Sequence, residues 1–334
     1  MNSKKIIITL IVLIALVTLL GLGTTAFFVI RYHFNTDTKE VEEKEEKKEE
    51  KPKEEEPEQP KEFSYIPIMY KVCDSDSCIH VLGSMHMGDE KITKYDKKVL
   101  DIYSESEAVA VELSDEEMNK MHIEDYIYKD GTTLDNHISP DLKKKLEDFS
   151  AKHDLYKYNV YKHYNVAINS TLIENVMYQE VGFTTPGADS YFTDLAAQDG
   201  KEIISIEKIE DQLKPLVEYS DEFYAKQMES SLDNYDAAIT STKLLYKIYL
   251  DGNDALMAKA ISSSYSSYET EEEKKYVEDL ILKRNDTMTN AAKDYLAQNK
   301  KVLLIVGAAH VVYEENGIIP ELSKDQNYTI ERIK

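Results

Sequence analysis

Two short elements of this sequence place a histidine three residues after a glycine, each at the end of an apolar run. Gly83-Ser84-Met85-His86 follows Cys78 to Leu82, and Gly307-Ala308-Ala309-His310 follows Val302 to Val306. Glycine at a strand end lets the chain turn sharply and come close to its neighbours, so the imidazole is set at a sheet edge and not within the sheet. Two further apolar runs end in a carboxylate: Ala108 to Val111 at Glu112, and Glu202 to Ile206 at Glu207. Two imidazoles and a carboxylate from a neighbouring strand end are the ligand type of a catalytic zinc, manganese, cobalt or iron ion with open coordination positions. Such an ion lowers the pKa of bound water and polarises a carbonyl. His86, Glu112 and His310 are therefore the candidate ligands. A lone Gly-x-x-His is a weak pattern; its repetition after two strands, with a strand-terminal glutamate, carries the reading. Helix starts compete for both glutamates, near Ser114 for Glu112 and just after Glu207. His80 lies within a strand, and His122, His137, His153 and His163 fall in helical or loop stretches, where structural or exposed roles suffice.

For these side chains to meet, the four runs must be strands of one sheet with their carboxyl ends on one edge. Helical patterns separate them, at Lys94–Ser104, through most of 114–200, and again over 208–298. Strands alternating with helices predict an α/β fold with parallel pairs, α+β being the alternative. The expectation is a mixed, partly parallel sheet flanked by helices, with a large helical insertion before the last strands. Open sheets of this kind bind ligands beyond the carboxyl ends of their strands. Ser139-Pro140 reads as an N-cap followed by proline at the first helical position. Thr270 and the glutamates after it suit the start of one long helix over 270–297.

The first part of the chain has no core to offer. Lys4 and Lys5 precede an uncharged apolar run over 6–30, long enough as a helix to cross the ~30 Å hydrocarbon layer. No small-residue cleavage site follows it, so a retained signal anchor is expected, with residues 1–5 in the cytoplasm and the remainder outside. Residues 31–62, mostly Glu, Lys and Pro, read as a disordered stalk, which leaves 63–334 as one extracytoplasmic domain. The formal net charge of −23 disfavours nucleic acid, whose binding depends on basic side chains. Cys73 and Cys78, the two cysteines, bracket Asp-Ser-Asp-Ser between alternating apolar stretches, as expected for a disulfide across a β-hairpin outside the cell.

Six segments in order resemble the TraB/PrgY/GumN family, related to the animal TIKI Wnt-cleaving metalloproteases. They are VLGSMHMGDE (81–90), VAVELS (109–114), PGADSYF (186–192), SIEKIEDQL (205–213), KRNDTM (283–288) and LLIVGAAHVVYEENGI (303–318). The resemblance implies that His86, Glu112 and His310 form the metal set, with manganese or cobalt favoured over zinc or iron. It adds Asp189 from the Gly-x-Asp element, Glu207 before the stretch reaching Gln212, and the Arg284-Asn285 pair. Tyr313 departs from the glycine common at that place. By residue type, Glu207 or Asp189 would be a further ligand or general base, and Arg284 would meet a developing oxyanion. Local roles compete here too: Asp189 as cap of a helix over 190–199, and Arg284 paired with Glu278 or Asp279. The implied activity is membrane-anchored, metal-dependent hydrolysis of an extracytoplasmic peptide or protein segment. The alternative, also drawn from the family, is a surface protein that binds and sequesters a pheromone-like peptide without cutting it. Oligomeric state is not readable.

Overall fold

A computed structural model describes residues 63–265 and 268–334. The expected cytoplasmic N-terminus, membrane anchor and stalk (1–62) lie outside the described residues. Among the described residues no helix is long and apolar enough to cross a membrane.

The described residues form eight strands: β1 (Met69–Cys73), β2 (Cys78–Ser84), β3 (Met87–Gly88), β4 (Ala108–Val111), β5 (Thr185–Pro186), β6 (Glu202–Ser205), β7 (Val302–Gly307) and β8 (Thr329–Arg332). Six make one sheet in the order β6-β4-β7-β2-β1-β8, and β3 pairs with β5 in a small second sheet. The neighbours β6, β4, β7 and β2 run parallel, whereas β1 is antiparallel to both β2 and β8. The mixed α/β architecture and all four expected strands are thus present. Burial explains the order. All of β4 and β7 is buried, the pattern of parallel strands covered on both faces. At the β8 edge, exposed residues alternate with half-buried ones, as one-sided packing requires.

Helices of five or more residues are numbered in order: α1 (Lys97–Glu105), α2 (Pro140–Lys152), α3 (Val166–Glu180), α4 (Ala188–Asp199), α5 (Ile209–Val217), α6 (Asp221–Asp233), α7 (Tyr235–Leu250), α8 (Asp254–Tyr265), α9 (Glu271–Val277), α10 (Lys283–Ala297), α11 (Ala308–Val312) and α12 (Ile318–Leu322). The expected insertion before the last strands is α5 to α10. Ser139 caps α2 by accepting the Leu142 N–H at 3.1 Å. Thr270 and Glu273 close a reciprocal box at the start of α9, with bonds of 3.2 and 2.9 Å.

The single helix expected over 270–297 is broken by one π turn at Glu278–Leu282, between α9 and α10. An extra residue in a turn rotates everything after it by about 100° around the axis. The turn immediately precedes Arg284 and Asn285, which are both buried. Local residue spacing carries no sign of this change of phase.

Cys73 and Cys78 are register partners in the β1–β2 hairpin and are joined by a disulfide. The loop it closes is short, so reduction should lower the unfolding free energy by roughly 2 kcal/mol. Urea titrations with and without reductant, compared with the Cys73→Ser/Cys78→Ser variant, test this; equal midpoints in all three would refute it.

Candidate functional site

Strand register assembles the site. Ser84 pairs with Gly307, Val111 with Ile305, and Val111 again with Ser205, so the carboxyl ends of β2, β7, β4 and β6 stand side by side. Pairing continues past β4 and β6, where Glu207 N–H donates to Glu112 O at 3.0 Å. The two Gly-x-x-His elements are therefore adjacent, offset by one residue. Their helical and loop continuations pack tightly: a Cβ on Gly83 would lie 3.0 Å from the Ala308 Cα.

Each histidine is held by its Nδ1. His86 Nδ1 lies 2.9 Å from Asp189 Oδ2, and the Ser84 hydroxyl donates to the other oxygen, Oδ1, at 3.2 Å. Asp189 sits in the first turn of α4, where its carboxylate meets His86 and Ser84; the N-cap of the helix is Gly187, with no side-chain cap bond. Gly187 makes that approach possible, because a Cβ there would stand 1.7 Å from Met85 O. Its N–H donates to His86 O at 2.8 Å, tying α4 to the histidine loop. On the other side, His310 Nδ1 lies 2.6 Å from Asn285 Oδ1 on α10. A carboxylate or amide oxygen accepts only, so both imidazoles carry their proton on Nδ1 and leave Nε2 bare when neutral. Both Nε2 atoms are buried and without a hydrogen-bond partner.

Glu112 faces this pair. Its Oε1 accepts the Gly307 N–H at 2.5 Å and lies 3.9 Å from His310 Nε2. Its Oε2 accepts from Arg284 Nη2 at 2.7 Å and from Gln212 Nε2 at 3.0 Å. Arg284 also grips Glu207, through Nε at 2.9 Å and Nη2 at 2.8 Å, while its Nη1 donates to Leu280 O. Gln212 Nε2 reaches Glu207 as well, at 3.1 Å. Burial opposes ionisation of Glu112, but Arg284, then His310, His86 and the Gly307 N–H outweigh it and hold the carboxyl down to about 2. Glu207 shifts the opposite way, because burial, reinforced by the charge of Glu112, exceeds the pull of Arg284. His310 is driven down to about 3 by burial and by Arg284, and so stays neutral. His86 is raised: burial disfavours its cation, but Asp189 more than compensates.

These contacts show what three of the expected site residues touch. The guanidinium of Arg284, expected as an oxyanion donor or as a partner of Glu278 or Asp279, lies across Glu112 and Glu207. Glu207 and Asp189 are the residues expected as a further ligand or base. Glu207 faces Arg284 and Gln212, while Asp189 faces His86 and Ser84, so neither turns a free oxygen on the histidine pair. Asn285 orients His310. Three participants were missed as site residues, namely Ser84, Gln212 and Asn316. Each is a neutral polar residue inside a motif already quoted, and its partner is far away in sequence.

A divalent ion fits this site by donor type: two buried ring nitrogens with no protein partner, bare when the rings are neutral, and an ionised carboxylate. Gly307 opens the space between them, since a Cβ there would stand 3.2 Å from Glu112 Oε1 and 3.7 Å from His86 Nε2. Spacing is less favourable, because among the described residues no group of three His, Cys, Asp or Glu side chains is placed to hold a metal ion.

Truncating Arg284 to Met would leave two buried carboxylates unpaired and should cost about 3–5 kcal/mol in chemical denaturation. Adding Glu207→Gln should recover part of that loss, and no recovery would count against the shared clamp. A depressed pKa stabilises above the unfolded value, so the contribution of Glu112 should be full above pH 4.5 and lost as the pH falls through about 2. The stability gap between wild type and Glu112→Gln should close over that window; a gap independent of pH would contradict the assignment.

No curated protein and no solved structure matches the chain. The sequence model of one family matches residues 68–332, from the first strand to the last. With both Gly-x-x-His elements, the two strand-terminal glutamates and the Arg-Asn pair gathered at one sheet edge inside that span, the chain belongs to the TraB/PrgY/gumN family.

Proposed function

We propose that this protein is a metal-dependent hydrolase of peptide bonds, anchored by residues 6–30 in a cell membrane with its domain on the outer side. The observation that carries the reading is the pair of buried imidazoles, each fixed at Nδ1 and bare at Nε2, facing the Gly307 backbone. Histidine ligands characteristically donate their other ring N–H to a carboxylate or carbonyl in this way. Buried ring nitrogens with no protein partner are otherwise costly.

In this reading His86 Nε2, His310 Nε2 and Glu112 Oε1 hold the ion, manganese or cobalt being favoured by the family resemblance and zinc or iron also suiting the donors. The ion would supply an acidified water and a polarised carbonyl. The chain supplies placement. Asp189 and Ser84 orient His86, Asn285 orients His310, and Arg284 with Gln212 holds Glu112 ionised and immobile. The substrate class, an extracytoplasmic peptide or protein segment, rests on the resemblance.

The second reading, drawn from the same family resemblance, is that this edge binds and sequesters a peptide without cutting it. Metal content separates the two. Purified without a metal-affinity tag, the chain should carry about one Mn, Co, Zn or Fe, and His86→Ala/His310→Ala should carry none. No ion in the wild type after soaking and desalting would overturn the hydrolase.

Gly307→Ala gives a sharper test. Gly307 has φ −49° and ψ 139°, open to any residue, so the substitution perturbs the site and not the backbone. Ion affinity should fall by about tenfold or more with a melting temperature close to wild type. Unchanged affinity would exclude the space over Gly307 as the ion position.

A further inference from the structure

Asn316 lies in a tight turn between α11 and α12. A Cβ on Gly317 would stand 2.6 Å from Tyr313 N and 2.7 Å from Tyr313 O, so the turn leaves no room for a side chain after Asn316. The Asn316 amide faces three groups. Its Nδ2 meets Leu282 O at 2.9 Å and Asp286 Oδ1 at 3.1 Å. Its Oδ1 meets Asn285 Nδ2 at 2.8 Å.

Amides can be turned end for end, but a backbone carbonyl can only accept, and so can a carboxylate. Leu282 O and Asp286 therefore demand the nitrogen of Asn316, which sends its oxygen toward Asn285. That oxygen must be met by the nitrogen of Asn285; the reverse orientation would set two oxygens against each other. Asn285 Oδ1 is then fixed on His310 Nδ1, 2.6 Å away, and needs a proton there. Leu282, the last residue of the π turn, supplies the carbonyl at which this chain of polarity begins.

We infer that Asn316 is a positioning residue that sets the tautomer of His310, relaying the polarity of Leu282 O through Asn285 so that Nε2 is left bare. The contact between Asn316 and Asn285 is side chain to side chain, between residues on separate elements, and nothing in the local sequence announces it. The consequence for ion uptake rests on the hydrolase reading; the tautomer itself does not.

The test uses the full-length chain labelled with 15N-histidine, its His310 signal assigned with His310→Gln. Long-range 1H–15N correlations should show wild-type His310 protonated at Nδ1 alone. Asn316→Leu, similar in shape but without polarity, frees Asn285 to turn and should give a mixture of both tautomers. Asn316→Asp keeps an acceptor toward Asn285 and should retain the single tautomer, although its second oxygen then faces Leu282 O and Asp286, both acceptors, which makes it the electrostatically harsher change. Cobalt affinity, read by titration with the ion alone, should fall about tenfold in the Leu variant and recover in the Asp variant relative to it. An unmixed tautomer in Asn316→Leu, or equal mixing in both variants, would reduce Asn316 to packing and overturn the inference. Tautomers responding as stated in a wild type that takes up no cobalt would sink the ion reading and leave the positioning role in place.

Discussion

Glu112 and Glu207 stand at the ends of adjacent strands, almost sealed from water, and one guanidinium lies across both. Charges so buried are tolerated only when closely paired and fully hydrogen-bonded. Much else at the site follows from that constraint. Gln212 supplies a donor to each carboxylate, the Gly307 N–H takes the remaining oxygen of Glu112, and Leu280 O receives the far end of Arg284. The helix bearing Arg284 must therefore arrive in one phase, and the π turn before it adjusts that phase. Glu112 is held in place by groups on three other elements, which makes it a fixed charge against which the histidines are arranged.

The two histidine elements look alike in sequence and are held differently. His86 is backed by a carboxylate at a partly exposed helix start, whereas His310 is backed by a neutral amide in the interior. The same Nδ1 attachment is thus reached with opposite electrostatics, and the two imidazoles shift in opposite directions from their ordinary range. Similar motifs placed side by side by parallel pairing do not make a symmetric site. The surroundings contributed by α4 and α10 make them unequal.

Away from this edge the domain relies on ordinary means. The buried strands are Val-, Leu-, Ile- and Ala-rich, and tyrosine takes the part of the large aromatic in a chain without tryptophan. Tyr246 illustrates its use, packing on Gly88 where no side chain would fit and donating to Asp89 Oδ1 at 2.5 Å. A hydroxyl at the end of an apolar ring lets one residue fill the core and pin the loop that follows His86.

Much of this architecture was legible in the sequence, for a local reason. Continuous apolar runs specify buried parallel strands, glycine marks the turns after β2 and β7, and a carboxylate at a strand end needs no long-range information to be noticed. His86, Glu112, His310 and the Cys73–Cys78 hairpin belong to this class. Other features depended on which strands become neighbours and on the rotation of α10 after its π turn. Those decided that Arg284 clamps two carboxylates, that Asp189 and Asn285 orient histidines, and that Ser84, Gln212 and Asn316 take part at all. A hydrogen bond between residues far apart in the chain leaves no periodicity in either local segment, because its energy is set by register and helix phase. Only the folded chain fixes those two quantities.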